Sequence, residues 1–126
     1  MENIDIKATA RTPKLLLDTE KRLFVIEGES YPEDTKKFYD QPIQQVCSYL
    51  EQPHDAEVVC QFKLKYFNSS TAKVLMDLFT TIDGSASKGN PMKVEWHFVA
   101  DDDNMRELGE EFSEELSSAA FELVPF

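Results

Sequence analysis

The chain has 126 residues and a formal net charge of −11 at pH 7, with 41% hydrophobic and 29% charged residues. This length fits one domain with a single core, which we predict over residues 13–126 behind a flexible N-terminal tail of residues 1–12. So negative a charge disfavours nucleic acid and anionic membranes as partners, because both require clustered Lys and Arg. The sequence lacks an apolar run of roughly 20 residues and a signal-peptide pattern, so we expect a cytoplasmic protein.

The N-terminal part predicts a β-hairpin followed by a helix. Residues 14–17 and 22–26 have the composition of two strands, and the short connection between them favours antiparallel pairing. Further on, the spacing of a buried helix face is kept by Ile43, Val46, Cys47 and Leu50. Because Pro42 removes a helical hydrogen bond, we expect one turn near residues 33–40 and the main helix over about residues 41–52.

The rest of the chain predicts alternating strands and helices. Between residues 56 and 66, apolar and polar residues alternate as in a strand with one buried face. That face is predicted to carry Val58, Cys60, Phe62, Leu64 and Tyr66. A helix over about residues 70–82, a strand around Trp96, a third helix and a short last strand at residues 121–124 follow.

The predicted order of elements is β-β-α-β-α-β-α-β. Strands joined by helices run parallel through right-handed crossovers. A parallel strand covered on both faces has a continuous apolar run, whereas these strands alternate. The sequence therefore predicts an α/β domain with a mixed, mostly parallel sheet of about five strands and helices mainly on one face. A dinucleotide-binding fold is disfavoured, since no G-x-G-x-x-G pattern occurs.

Nucleophilic catalysis by Ser69 or Ser70 would require a base within hydrogen-bond reach, usually a histidine. His54 precedes the long strand that Ser69 follows, so about ten residues at roughly 3.3 Å each separate the two. The alternation places His97 on the polar face of its strand, opposite Trp96. We therefore predict no catalytic residue and a protein that is not an enzyme.

Metal binding is also disfavoured. The acidic residues 101–103 lack the glycine and terminal glutamate of a calcium loop, and are expected to cap the third helix. Cys47 and Cys60 do not combine with the histidines at zinc-site spacing, and are expected to be buried, reduced thiols. We predict no metal and no cofactor.

Residues 66–73, with the sequence Y-F-N-S-S-T-A-K, form a hydroxyl-rich turn between the long strand and the second helix. Asn, Ser and Thr are preferred helix caps, so the turn is explained by capping alone. A helix N-terminus also attracts anions, which allows a bound phosphate or a phosphate carried covalently on a hydroxyl. From the residues alone, all three interpretations stay open.

The chain resembles the SiaC family of bacterial regulatory phosphoproteins, whose fold is similar to the STAS domain of anti-sigma factor antagonists. The specific matches are G-E-S-Y-P-E-D at residues 28–34 and the turn at residues 66–73. Shorter matches extend the resemblance over residues 76–79, 96–98 and 108–112. Anti-sigma factor antagonists have Asp-Ser-Ser at the corresponding turn, where this chain has Asn68-Ser69-Ser70.

The resemblance implies a non-enzymatic phospho-switch that uses partner switching in signal transduction. A partner kinase would phosphorylate Ser69, a PP2C-type phosphatase would reverse this, and the unmodified form would bind a diguanylate cyclase. The residues expected to contact a partner or the phosphate are Asn68, Ser70, Thr71, Lys73, Met76 and Asp77. The alternatives are a scaffold that is not phosphorylated and a STAS-like module that binds a small anion at the start of the second helix.

Overall fold

The computed structural model describes residues 2–126, which form six strands and three helices. In chain order these are β1 (Ile4–Ile6), β2 (Lys14–Asp18), β3 (Leu23–Ser30), α1 (Thr35–Glu51), β4 (Val58–Phe67), α2 (Ser69–Ser87), β5 (Met92–Phe98), α3 (Asp103–Ser113) and β6 (Ala120–Pro125). The strands pair in the order β1-β2-β3-β4-β5-β6. The pairs β1–β2 and β2–β3 are antiparallel and the other three are parallel, which confirms the predicted fold class with one additional strand.

The additional strand, β1, lies in the segment predicted to be a flexible tail. Ile4 pairs with Leu17 of β2 and is buried in the core. Nearby, the side-chain oxygen of Asn3 accepts hydrogen bonds from the amide and hydroxyl of Thr19. The prediction of a loosely held segment is therefore wrong for residues 4–6. A strand of three residues is too short to show an alternation of apolar and polar side chains. It forms because the edge of β2 supplies its hydrogen bonds.

All three helices pack on one face of the sheet, as predicted. Phe62 of β4 contacts Phe79 of α2, with ring centroids 4.8 Å apart, and Trp96 of β5 contacts Phe112 of α3 at 5.3 Å. The buried face of α1 joins the same core through residues that include Leu50. The opposite face of β4 and β5 is polar and carries Gln61, Lys93, Glu95 and His97.

Helix α1 is continuous through Pro42, so the predicted break after residue 40 is wrong. Asp34 caps the helix by accepting a hydrogen bond from the Lys37 amide at 3.0 Å. Buried side chains lie on both sides of the proline, with Tyr39 before it and Val46 after it. A proline forfeits one backbone hydrogen bond and disturbs the preceding turn, and packing of both segments on one sheet outweighs that cost.

A β-bulge at the end of β4 changes which side chains face the core. Leu64 pairs with Gly28 of β3, but Tyr66 pairs with the next residue, Glu29, so Lys65 is an extra residue in β4. Tyr66 is therefore 52% exposed, contrary to the predicted alternation. Phe67 turns inward instead, and its ring lies 6.2 Å from that of Trp96. The bulge sets the direction in which the chain enters the hydroxyl-rich turn.

Candidate functional site

The turn after β4 is held by backbone and capping hydrogen bonds. The Asn68 amide donates to the Ser30 carbonyl at 3.0 Å, which ties the turn to the end of β3. The Asn68 side chain accepts from the Thr71 amide at 3.0 Å, so Asn68 is the N-cap of α2. The first intrahelical bond runs from the Ala72 amide to the Asn68 carbonyl. The predicted capping interpretation is thus correct for Asn68.

The hydroxyls of the turn occupy three different environments. The Ser70 hydroxyl lies 2.6 Å from Thr35 Oγ1 of α1 and donates to Asn68 Oδ1 at 2.9 Å. Thr71 is fully buried. Ser69 is exposed, and its hydroxyl makes no side-chain hydrogen bond within the part of the chain that the structure describes. Ser69 is therefore the hydroxyl of the turn most open to modification.

A buried hydroxyl cluster of Ser30, Tyr39 and Thr71 lies beneath the turn. Ser30 Oγ is 2.6 Å from the Tyr39 hydroxyl and 2.7 Å from Thr71 Oγ1. Burial raises the pKa of Tyr39, against its hydrogen bonds with Ser30 and Thr71, so its hydroxyl keeps its proton and can donate. The cluster joins β3, α1 and α2. Thr71 was expected among the partner or phosphate contacts, and its burial assigns it to holding the turn instead.

The remaining predicted site residues lie along α2. Lys73 is exposed, as expected, and follows Ser69 by one helical turn. Asp77, whose orientation the sequence left open, is exposed as well. Met76 was expected on the exposed side of the helix if Leu75 and Phe79 face the sheet, but it is partly buried and packs against the core. Asp77 also lines a groove of about 390 Å³ between α1 and α2, together with Val74, Asp40 and Ile43. The sequence could not reveal this groove, since it depends on how the two helices pack.

Two exposed tyrosines, one from each of the two specific sequence motifs, also lie close to the turn. Tyr31 follows β3 and Tyr66 lies near the end of β4, with ring centroids 5.8 Å apart in an edge-on arrangement. They are 37% and 52% exposed. Exposed aromatic rings are typical anchors for a protein partner.

The histidines and acidic residues have structural partners away from Ser69. His54 Nε2 lies 2.8 Å from the Tyr49 carbonyl, and His97 Nε2 lies 3.1 Å from Glu95 Oε1. Asp102 caps α3 by accepting from the Met105 amide at 3.0 Å. Among residues 2–126, no cluster of three or more His, Cys, Asp or Glu side chains could hold a metal ion. None of the helices in that range is long and apolar enough to span a bilayer.

Comparison with known proteins identifies the class. The family profile described as "SiaC family regulatory phosphoprotein" matches residues 6–126, so the chain belongs to the SiaC family. An uncharacterized protein of Pseudomonas aeruginosa (strain UCBPP-PA14) is 28% identical over 120 residues, which cover 93% of this chain and 92% of the relative.

Solved structures agree with this assignment. The crystal structure of apo-SiaC from Pseudomonas aeruginosa has a TM-score of 0.87 and 29% identity, covering 98% of this chain and 99% of that one. A chain in the crystal structure of diguanylate cyclase SiaD in complex with its activator SiaC, from the same species, has a TM-score of 0.86 and 27% identity. That match covers 95% of this chain and 98% of the other.

Proposed function

We propose that this protein is a non-enzymatic, cytoplasmic phospho-switch whose docking to a diguanylate cyclase is controlled by reversible phosphorylation of Ser69. A partner kinase adds the phosphate and a PP2C-type phosphatase removes it. The unmodified form docks and activates the cyclase. Support for the output comes from the similar protein SiaC, which is the activator of diguanylate cyclase SiaD.

The observation that carries this proposal is the difference among the three hydroxyls. Modification of Ser70 would break its contacts with Thr35 and Asn68. Modification of Thr71 would require opening the core, since its side chain is buried with Ser30. Ser69 can accept a phosphate without breaking a side-chain hydrogen bond of the folded domain.

Phosphate on Ser69 would change the surface and leave the fold in place. It would add roughly −1.5 to −2 charges at the first residue of α2, where the helix dipole favours an anion. The amides of Ser69 and Ser70 precede the first intrahelical donor, so they are available to phosphate oxygens. Lys73 lies one turn further along the same helix. The Asn68 cap and the buried hydroxyl cluster are independent of the modification.

The docking surface would include the start of α2 and the groove between α1 and α2. Lys73 and Asp77 supply exposed charges, while Val74 and Ile43 supply apolar contact in the groove. Tyr31 and Tyr66 extend this surface beyond the turn. Phosphate at its edge adds bulk and charge that a partner fitted to the unmodified serine cannot accommodate.

Phosphorylation is tested by incubating the purified chain with lysate of its source organism and Mg-ATP, then locating phosphate by peptide mass spectrometry. We expect modification of Ser69, its loss in Ser69→Ala, and its retention in Ser70→Ala. Addition of phosphatase inhibitors should increase the modified fraction. Phosphate on Ser70 in the unaltered chain, or none on Ser69, would overturn the switch.

Docking is tested by adding purified Ser69→Ala or Ser69→Glu protein to the same lysate and measuring conversion of GTP to cyclic di-GMP. Ser69→Ala should increase cyclase activity, and Ser69→Glu should do so less, because a carboxylate mimics the charge of phosphate only in part. A matched Glu57→Gln variant lies away from the turn and should behave like the unaltered chain. Equal cyclase activity with Ser69→Ala and Ser69→Glu would show that negative charge at this position does not control docking.

A further inference from the structure

A second feature of the molecule is a groove of about 1020 Å³ at the carboxyl-terminal ends of β4 and β5. There the open face of the sheet meets the segment that leads into α3. None of residues 68–73 lines it. In parallel α/β sheets, ligands commonly bind beyond the carboxyl ends of the strands. The volume is at the upper end of the range for small-molecule sites, about 300–1000 Å³.

One wall of this groove is apolar and exposed. Its exposed members are Val99 and Phe126, and the buried Phe98 lies beside them. Val99 is 42% exposed and Phe126 is 64% exposed, and they are two of only four large hydrophobic residues exposed within residues 2–126. The Phe126 backbone is held in place, because its amide donates to the Phe98 carbonyl at 3.0 Å. Exposed apolar surface concentrated at one concave place indicates a binding site.

The facing wall is rich in lysine. Its members are Lys7, Lys14, Lys63 and Lys65. No ion pair within 4.0 Å is formed by these four side chains in the described part of the chain. The whole protein has 24 acidic and only 13 basic residues. Four ammonium groups around one groove are therefore a local concentration of positive charge on a negatively charged protein.

Three carboxylates also line the groove, and two of them have defined positions. Asp102 is committed to capping α3 through the Met105 amide. Glu27 lies in register between Lys14 on β2 and Lys63 on β4, so one carboxylate has a lysine on each side. Asp5 is the third. Lysine therefore outnumbers carboxylate in the lining, and Lys65 at the bulge of β4 forms no ion pair with a carboxylate of residues 2–126.

We propose that this groove binds a small amphipathic anion, with a carboxylate or phosphate head group at the lysine wall and an apolar body against Val99 and Phe126. Lys63 and Lys65 supply the positive charge that binds the head group. Covering the exposed hydrophobic side chains removes apolar surface from water, which favours binding. The site shares no residue with the turn at residues 68–73. A negative binding result for this groove would therefore not count against the phospho-switch.

Isothermal titration calorimetry with the full chain tests the proposal, using laurate and dodecyl phosphate below their micelle concentrations. We expect saturable 1:1 binding of at least one of them, and the tighter ligand identifies the preferred head group. Inorganic phosphate is the control for the charged head group alone. The uncharged detergent dodecyl maltoside is the control for the apolar body without the charge. Absence of saturation with both anions, or equally tight binding of dodecyl maltoside, would refute an amphipathic anion site.

Matched variants locate the site. The double substitution Lys63→Gln and Lys65→Gln should weaken binding at least about tenfold, and Val99→Asp should do the same. The control Lys36→Gln and Lys37→Gln removes equal charge from the start of α1 and should leave the affinity unchanged. Amide NMR shifts on addition of laurate should cluster at residues 63–65 and 97–99. Shifts confined to α1 and α2, or equal effects of both lysine pairs, would contradict the assignment.

Discussion

Ser30 Oγ at the end of β3 lies 2.7 Å from Thr71 Oγ1 in the first turn of α2, although 41 residues separate them along the chain. This contact is closed to water, since both residues are 0% exposed. It fixes the start of α2 relative to the sheet, while the neighbouring Ser69 stays exposed. The turn at residues 68–73 is thus tied to the sheet on its buried side, while Ser69 on its outer side is exposed.

Removing one hydroxyl of this cluster should destabilise the domain. Thr71→Val keeps the shape of the side chain but leaves Ser30 and Tyr39 with fewer partners, and we expect the free energy of unfolding to fall by about 1–3 kcal/mol. Urea denaturation measures this. Ser69→Ala, two residues before Thr71 and exposed, should change it by less than about 0.5 kcal/mol. Equal effects of the two variants would show that the cluster does not stabilise the turn.

Gly109 of α3 should not tolerate a side chain. A Cβ at this position would lie 2.5 Å from Trp96 Cδ1 and 2.9 Å from Leu123 Cδ2, and the indole cannot move without losing its hydrogen bond to the Met105 carbonyl. We expect Gly109→Ala to lower the free energy of unfolding by about 1–3 kcal/mol.

The matched control for that variant is Gly84→Ala in α2, where, apart from the adjoining helix backbone, no heavy atom of residues 2–126 lies within 4 Å of the added Cβ. Alanine has the higher helix propensity, so this variant should be up to about 1 kcal/mol more stable. Thermal denaturation of both proteins checks the pair. A Gly109→Ala protein as stable as the unaltered chain would contradict the close packing of α3 on Trp96.

Asp83 should contribute stability that depends on pH. Desolvation opposes its charged form, but the amides of Ser117, Ser118 and Ala119 and the Ser117 hydroxyl outweigh it and lower the pKa of this carboxyl. A lowered pKa in the folded state stabilises the fold above the unfolded pKa of about 3.9, and this contribution is lost as pH falls through the folded value.

Asp83→Ala should therefore be less stable than the unaltered chain by about 1–3 kcal/mol at pH 7, and the difference should shrink at pH 3 and below. Urea denaturation at both pH values measures it. Asp55→Ala, which removes an exposed carboxylate, serves as the control and should show neither effect. A difference that stays constant down to pH 2 would mean that the carboxylate charge is not involved.

The two cysteines should differ in reactivity. Burial raises the pKa of Cys60 to about 12, so almost no thiolate is present at pH 8, while Cys47 is only half-buried. Iodoacetamide should modify Cys47 first and Cys60 only after unfolding, and peptide mass spectrometry distinguishes the two. In a Cys47→Ser protein the native state should stay unmodified. Rapid labelling of native Cys60 would contradict its burial in β4.

Local patterns explain why much of the fold was predictable. Alternation around Phe62 and Trp96 depends only on neighbouring residues, and it correctly placed the helices on one face of the sheet. Capping of α2 within the turn was predictable for the same reason, since capping involves residues three positions apart, but the sequence left Asn68, Ser69 and Ser70 as candidates and the structure selects Asn68. The continuous α1 was missed, because the sequence pattern shows only that Pro42 removes a local helical hydrogen bond. The packing of Tyr39 and Val46 on the sheet outweighs that loss, and it depends on residues distant in the chain.

The sequence by itself determined the class of fold and, through its motifs, membership in a family of regulatory phosphoproteins. It could not separate the roles of Ser69, Ser70 and Thr71, because three consecutive hydroxyl residues have the same chemistry in the sequence. Tertiary structure separates them, because Thr35 and Ser30 come from distant parts of the chain and each engages a different hydroxyl. The bulge at Lys65 and the lysine groove depend on strand register in the same way, and register is a property of the assembled sheet.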